Sequence, residues 1–168
     1  GCEVVDVPSL KNTAAMKKIA ERADADFTLL YTKESKLEWV HFALERMVNI
    51  AEDSGAAMIY ADHFNVIDGV RSFAPVIDYQ MGSLRDDFDF GSVLLYRTSA
   101  FKEAVSRMNI NYQFAALYDL RLKVSQKGVL EHMNEYLYYE VEMDTRKSGE
   151  KLFDYVDPKN RAVQIEME

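Results

Sequence analysis

Gly55-Ala56-Ala57-Met58-Ile59-Tyr60-Ala61-Asp62 is the stretch on which the fold turns. Ala57 to Tyr60 is a short apolar run that reads as a buried strand, with Asp62 just past its end. Upstream, Val40, Ala43, Leu44, Met47 and Ala51 recur at helical spacing, which predicts a helix from Leu37 to Ser54 closed by Gly55. Earlier still, Phe27-Thr28-Leu29-Leu30-Tyr31 is a second strand-like run, ending in the polar Thr32-Lys33-Glu34-Ser35. Strand, long helix, strand implies a parallel crossover unit and hence an α/β protein. Ligands of such sheets bind outside the carboxyl ends of the strands, which puts Lys33, Glu34 and Asp62 on the expected functional edge.

Toward the amino terminus, Glu3 to Val7 is strand-like, and Ser9 after Pro8 is the expected cap of a helix carrying Ala15, Ile19 and Ala23. Toward the carboxyl terminus, Asp68-Gly69 between Phe64–Ile67 and Val70–Phe73 is a two-residue hairpin signal. Pro75 to Gly82 reads as an irregular excursion. It leads into Ser83-Leu84-Arg85-Asp86-Asp87-Phe88-Asp89-Phe90-Gly91, an acidic loop that feeds the buried strand Ser92–Tyr96. Three neighbouring carboxylates repel one another and are costly to bury unpaired. The loop is therefore either a solvated surface with Arg85 as partner and Phe88 and Phe90 as anchors, or a polar site that meets a sugar or a cation. A helix capped by Thr98 or Ser99 follows, then one from about Gln113 to Gln126 stopped by Gly128. Strands are expected at Val129–Met133 and Tyr136–Met143, with Tyr136, Tyr138 and Tyr139 as half-buried strand packing. Leu152 to Glu168 is weakly patterned.

Composition bounds the function. At 168 residues the chain is long enough for one domain, 1–168, with a sizeable core. A net charge of -8 argues against a nucleic-acid backbone as partner. The single Cys2 forms no internal disulfide, and no apolar run reaches the length of a membrane span, which fits a cytoplasmic location. The abrupt start on Glu3–Val7 suggests a fragment of a longer protein. There is no P-loop, dinucleotide glycine fingerprint or nucleophile elbow, and His41, His63 and His132 lack metal-ligand spacing. His63, beside Asp62, either assists a site or is a partly exposed histidine at a strand end, and the second is the expected account. A hydrolase using a carboxylate pair has only the acidity of the chain behind it.

The serial order of elements resembles the core of the family 2 glycosyltransferases. The residues that carry the resemblance are Ala23–Leu30, Ala43-Leu44-Glu45-Arg46-Met47, Gly55–Asp62, Phe90–Arg97, Tyr118-Asp119-Leu120-Arg121-Leu122 and Gly128–Met133. It spans roughly residues 4 to 143. It implies the nucleotide-diphospho-sugar transferase fold, three-layer α/β/α with a mainly parallel mixed sheet, here lacking the family's first strand. It also implies transfer of a sugar from a nucleotide-sugar donor to a hydroxyl of a glycan or lipid-linked acceptor, in glycan or cell-surface polysaccharide synthesis.

Two departures from the family pattern set the candidate residues. The strand equivalent to Phe27–Tyr31 normally ends in a DXD motif holding a divalent cation, Mn or Mg. Here Tyr31-Thr32-Lys33-Glu34 stands there, so Lys33 is expected to offset diphosphate charge, and Glu34 with Asp62 are the expected metal ligands. Before Tyr118-Asp119 the family carries an acidic pair, one member acting as base toward the acceptor hydroxyl. Here Ala116-Leu117 stand instead, which leaves Asp119, Asp87 and Asp89 as the expected catalytic carboxylates. Asp62, Lys33, Arg85 and Asp86 are the expected substrate-binding residues. The alternative is a non-catalytic glycosyltransferase-like module that has lost both motifs and binds a sugar, nucleotide or protein. A homodimer follows if an exposed sheet edge pairs with a second copy.

Overall fold

The computed structural model describes residues 3–82, 88–142 and 165–166. Its sheet comprises β1 (Phe27–Tyr31), β2 (Lys36–Trp39), β3 (Met58–Ile67), β4 (Val70–Ala74), β5 (Val93–Arg97) and β6 (Leu130–Glu142). The helices are α1 (Thr13–Arg22), α2 (Ala43–Ser54), α3 (Thr98–Ser106) and α4 (Ala116–Ser125). Strand order is β1-β5-β3-β6-β2, with β4 pairing β3 beyond the point where β5 leaves it.

The architecture is α/β with helices on both faces. On one face Met16 and Ile19 of α1, Phe101 and Val105 of α3 and Leu120 and Val124 of α4 bury Met58, Tyr60, Leu94 and Tyr96. On the other, α2 lies over Ile59, Ala61, Val93 and Leu95 through Ala43, Met47 and Ala51. Two alanines at four-residue spacing about a methionine form a thin apolar stripe along the helix. Gly55, at φ 67°, ends α2 in the left-handed region as expected.

Several expectations are corrected. The sheet is mixed but not mainly parallel: β3–β6 is parallel, while β1–β5, β3–β5, β3–β4 and β2–β6 are antiparallel. β1 and β3 do run parallel, but β5 lies between them, so the crossover skips one place. The helix expected from Leu37 starts at Ala43, because Lys36–Trp39 forms β2 against Tyr138–Val141. Ser9 does not cap α1, its hydroxyl accepting the Lys11 N–H in the turn ahead of it; Asn12 is the cap, its Oδ1 accepting the Ala15 N–H at 2.8 Å. Glu3 to Val7 joins no ladder. Asp68 (φ 51°) and Gly69 (φ 76°) form the hairpin turn as read.

The strands expected at Val129–Met133 and Tyr136–Met143 are one strand. Its ladder with β3 shifts register between Ala61 and Asp62 and again between Asp62 and His63. Such extra residues re-aim side chains. Tyr138 thereby comes opposite His63 and points into the core. Its hydroxyl accepts the N–H of Ser92 at 3.0 Å and of Val93 at 3.4 Å, tying β6 to the start of β5 across β3. Gly91, at φ 73°, is the residue this contact requires: a Cβ there would lie 2.5 Å from the Tyr138 hydroxyl.

Gly91→Ala is expected to destabilise the fold by more than Gly69→Ala, which has a similar φ but nothing within 4 Å of the added methyl. Left-handed strain alone costs about 1–2 kcal/mol, and overpacking adds about 1–3 kcal/mol at Gly91. Equal losses in urea unfolding would show that the Tyr138 contact does not constrain Gly91.

Candidate functional site

The site follows from register. Tyr31 pairs with Val93 and Ile59 with Leu95, so the chain beyond β1, the chain before β5 and the middle of β3 reach one level. Thr32 N–H extends the β1–β5 pairing to the Ser92 carbonyl at 2.9 Å. At that level lies a cleft of about 350 Å³. Thr32 and Lys33 form one wall, Phe88, Asp89 and Gly91 another, and Arg121 of α4 a third. The floor is the sheet, with His63, Asn65 and Ile67 of β3 beside Glu140 and Glu142 of β6.

Glu140 is the buried charge of this cleft, 4% exposed. Its Oε1 lies 3.3 Å from His63 Nε2 and its Oε2 lies 3.7 Å from Lys33 Nζ. A buried carboxylate is tolerable where such partners exist. His63 is itself buried and stacks on Tyr138 at 5.1 Å and 8° between planes. Its Nδ1 has no partner and would lie 3.5 Å from a Cβ on Gly91. Arg121 stands 5.2 Å over the ring of Phe90, and its Nε is buried without a partner. Phe90 is fully buried and Phe88 half-buried, as the anchors that were read for them.

Asp62, one residue from His63, faces the other side of the sheet. It is not just past the strand but inside it, 5% exposed. Its Oδ1 accepts the Val76 N–H at 2.9 Å and lies 2.9 Å from His132 Nε2, whose Nδ1 lies 2.6 Å from Asp78 Oδ1. Tyr60 stacks on His132 at 5.0 Å, and its hydroxyl donates to the Ile77 carbonyl and accepts the Tyr79 N–H. This cluster pins Pro75–Gln80, the segment that leads toward the cleft wall.

Of the candidates read from sequence, Lys33 and Asp89 share the cleft; Asp89 is exposed there, with Oδ1 accepting the Gly91 N–H at 2.8 Å. Glu34 is exposed at the bend after β1 and does not line the cleft. Asp119 is buried in α4 and paired with Lys123, so Arg121 rather than Asp119 is what α4 brings to the site. Arg85, Asp86 and Asp87 lie outside the described residues. Glu34 and Asp62 share no site, and among the described residues no three His, Cys, Asp or Glu side chains group as a cation site. The expected divalent cation therefore does not fit these two ligands.

His63 and Glu140 were not read as site residues. His63 is buried in mid-strand rather than partly exposed at a strand end. The available signal was Glu140 two positions from Tyr138, a charge on the inward alternation of a strand. No family model matches the chain, and no curated protein matches it in sequence. No helix among the described residues is long and apolar enough to cross a membrane.

Burial pushes the phenols of Tyr60, Tyr96 and Tyr138 up to about 12. The fold thus favours their neutral form. The stability they contribute is complete below the ordinary value near 10 and is lost as pH rises from there to about 12. A phenolate absorbance titration should therefore show at least three of the ten tyrosines ionising late, together with alkaline unfolding. A single ionisation step at the ordinary value, with the fold intact, would contradict this burial.

Proposed function

We propose that the chain is a glycosyltransferase-like domain whose cleft takes the diphosphate and sugar of a nucleotide-sugar donor and passes the sugar to an acceptor hydroxyl. The observation that carries this reading is Lys33. It stands where the resemblance expects the diphosphate-neutralising group, and it shares one cleft with Arg121 and with the carboxylates Asp89 and Glu140. The nucleotide-diphospho-sugar fold belongs to the same proposal, as do a glycan or lipid-linked acceptor and polysaccharide synthesis.

In this reading the bond from the anomeric carbon to the diphosphate oxygen breaks, and its electron pair leaves with the diphosphate. Lys33 and the Arg121 guanidinium offset the charge that develops there. A bond from the acceptor oxygen to the anomeric carbon forms, and the acceptor proton passes to Asp89, the exposed carboxylate at the cleft wall. A divalent cation, where one binds, adds further charge neutralisation at the leaving group. Asp62 and Asp119 play no part in transfer, since each is engaged inside the protein.

That engagement favours a second reading, a non-catalytic module of the same ancestry that binds a nucleotide-sugar without turning it over. Calorimetric titration with uridine, guanosine and thymidine diphosphates, with and without Mn²⁺, tests the shared element. Lys33→Ala and Arg121→Ala should each weaken diphosphate binding about tenfold, the loss of one charged hydrogen bond. Wild-type protein that binds none of the three sinks both readings. Where donor turnover is detected, Asp89→Asn should slow it about 10²-fold or more, and retention of turnover in that variant would assign the proton to another base.

A further inference from the structure

The cleft holds a carboxylate that is unusually buried for one facing open space. Glu140 is 4% exposed, yet it lines the cleft, and its neighbours leave part of it unused. His63 fixes one oxygen. Its Nδ1 meets no donor or acceptor, while its Nε2 lies 3.3 Å from Glu140 Oε1, within ion-pair distance. The plane of the ring is set by its stacking on Tyr138, whose hydroxyl is held by the Ser92 and Val93 N–H groups. The other oxygen faces Lys33 Nζ at 3.7 Å, beyond normal hydrogen-bond length. A carboxylate has about four acceptor sites, and these two neighbours occupy fewer.

The surroundings choose the ligand chemistry. Lys33 and Arg121 are the groups of the cleft that suit an anion, whereas a phosphate oxygen placed against Glu140 itself meets like charge. A neutral group that donates hydrogen bonds meets none; a nucleotide-sugar carries such groups on base, ribose and hexose, and the hexose carries the most hydroxyls. A buried carboxylate with fixed orientation binds them strongly, since hydrogen bonds to a charged acceptor are roughly twice as strong as neutral ones.

We infer that Glu140 is the carboxylate that recognises sugar hydroxyls in this cleft, and that His63 is the residue that positions it. The inference rests on the nucleotide-sugar reading above and adds the part of the donor that Glu140 holds. Asp89 and Glu140 thus have different tasks: the exposed carboxylate takes a proton, and the buried one holds the sugar.

The test compares, on the full chain, the dissociation constants of a nucleoside diphosphate and of its hexose conjugate by calorimetry. The probes are UDP against UDP-glucose, UDP-galactose and UDP-N-acetylglucosamine, and GDP against GDP-mannose. In the wild-type protein at least one conjugate should bind about tenfold tighter than its free diphosphate. Glu140→Gln should bring that ratio close to one. The ratio is the readout because removing a carboxylate beside Lys33 shifts diphosphate affinity as well. His63→Gln, which keeps an N–H for Glu140, should retain most of the preference, whereas His63→Leu should lose it. Absence of diphosphate binding in the wild type overturns the nucleotide-sugar reading itself. Diphosphate binding with no preference for any conjugate overturns the role of Glu140 alone. So does a preference that survives Glu140→Gln. A loss of preference in His63→Gln equal to that in His63→Leu removes the positioning role.

Discussion

The hydroxyl of Tyr138 is the point on which the structure depends. It accepts two backbone N–H groups from the start of β5 while its ring belongs to β6 and packs beside β3. An unpaired buried N–H costs about 1–3 kcal/mol, and two of them would be left if this oxygen were absent. The contact also fixes where the loop before β5 crosses the sheet, because Gly91 has no room for a side chain. The cleft wall formed by Phe88, Asp89 and Gly91 is thereby set against its floor.

The irregular ladder between β3 and β6 explains why polar groups collect where they do. In a regular strand Asp62 and His63 would merely alternate across the sheet. The two register shifts around Asp62 bring Tyr136 opposite it and Tyr138 opposite His63. Each face then receives one histidine with acidic partners: His132 between Asp62 and Asp78, and His63 beside Glu140. The first cluster is closed, with each named oxygen or nitrogen used to hold Pro75–Gln80. The second is open, lining a cleft and leaving acceptor capacity. An aromatic path runs from the first toward the cleft, from His132 to Tyr60 at 5.0 Å, to Phe90 at 4.9 Å and to Phe88, which lines the cleft, at 4.4 Å. A closed cluster of this kind serves as a brace for the open one.

Much of the frame was legible from local rules. The alanine and methionine spacing of α2, its glycine stop and the Asp68-Gly69 turn each answer to short-range chemistry, and each is where it was read. Tyr136 and Tyr139 are half-buried against Phe64 as expected, whereas Tyr138 is fully buried. What misled was long-range pairing. Lys36–Trp39 continues a helical pattern in sequence, but its partner is a strand about a hundred residues later, which no local window contains. Similarly, an isolated apolar run does not reveal that β5 inserts antiparallel between β1 and β3. In the candidate site, Lys33 and Asp89 were visible because they flank strand ends. Glu140 was hidden within a strand, where only its inward alternation with Tyr138 gave it away.

The distribution of charge over the cleft bears on how a chain of net charge -8 holds an anion. Long-range attraction works against it, and at physiological salt surface charges are screened beyond about 8 Å. Binding must therefore come from a few groups held close. Lys33 is half-exposed, and Glu140 beside it keeps it near the sheet rather than in solvent. Arg121 rests over Phe90, and the desolvation of its Nε strengthens any hydrogen bond it makes. α4, which carries it, begins without a side-chain cap of its own. Instead Glu166 accepts the N–H groups of Gln113, Phe114 and Ala115 just ahead of the helix. Loss of water raises the Glu166 carboxyl, but these three donors together hold it below its usual value. The end of the chain thus steadies the helix that supplies the cleft's arginine, so the cation wall depends on a contact about fifty residues away in sequence.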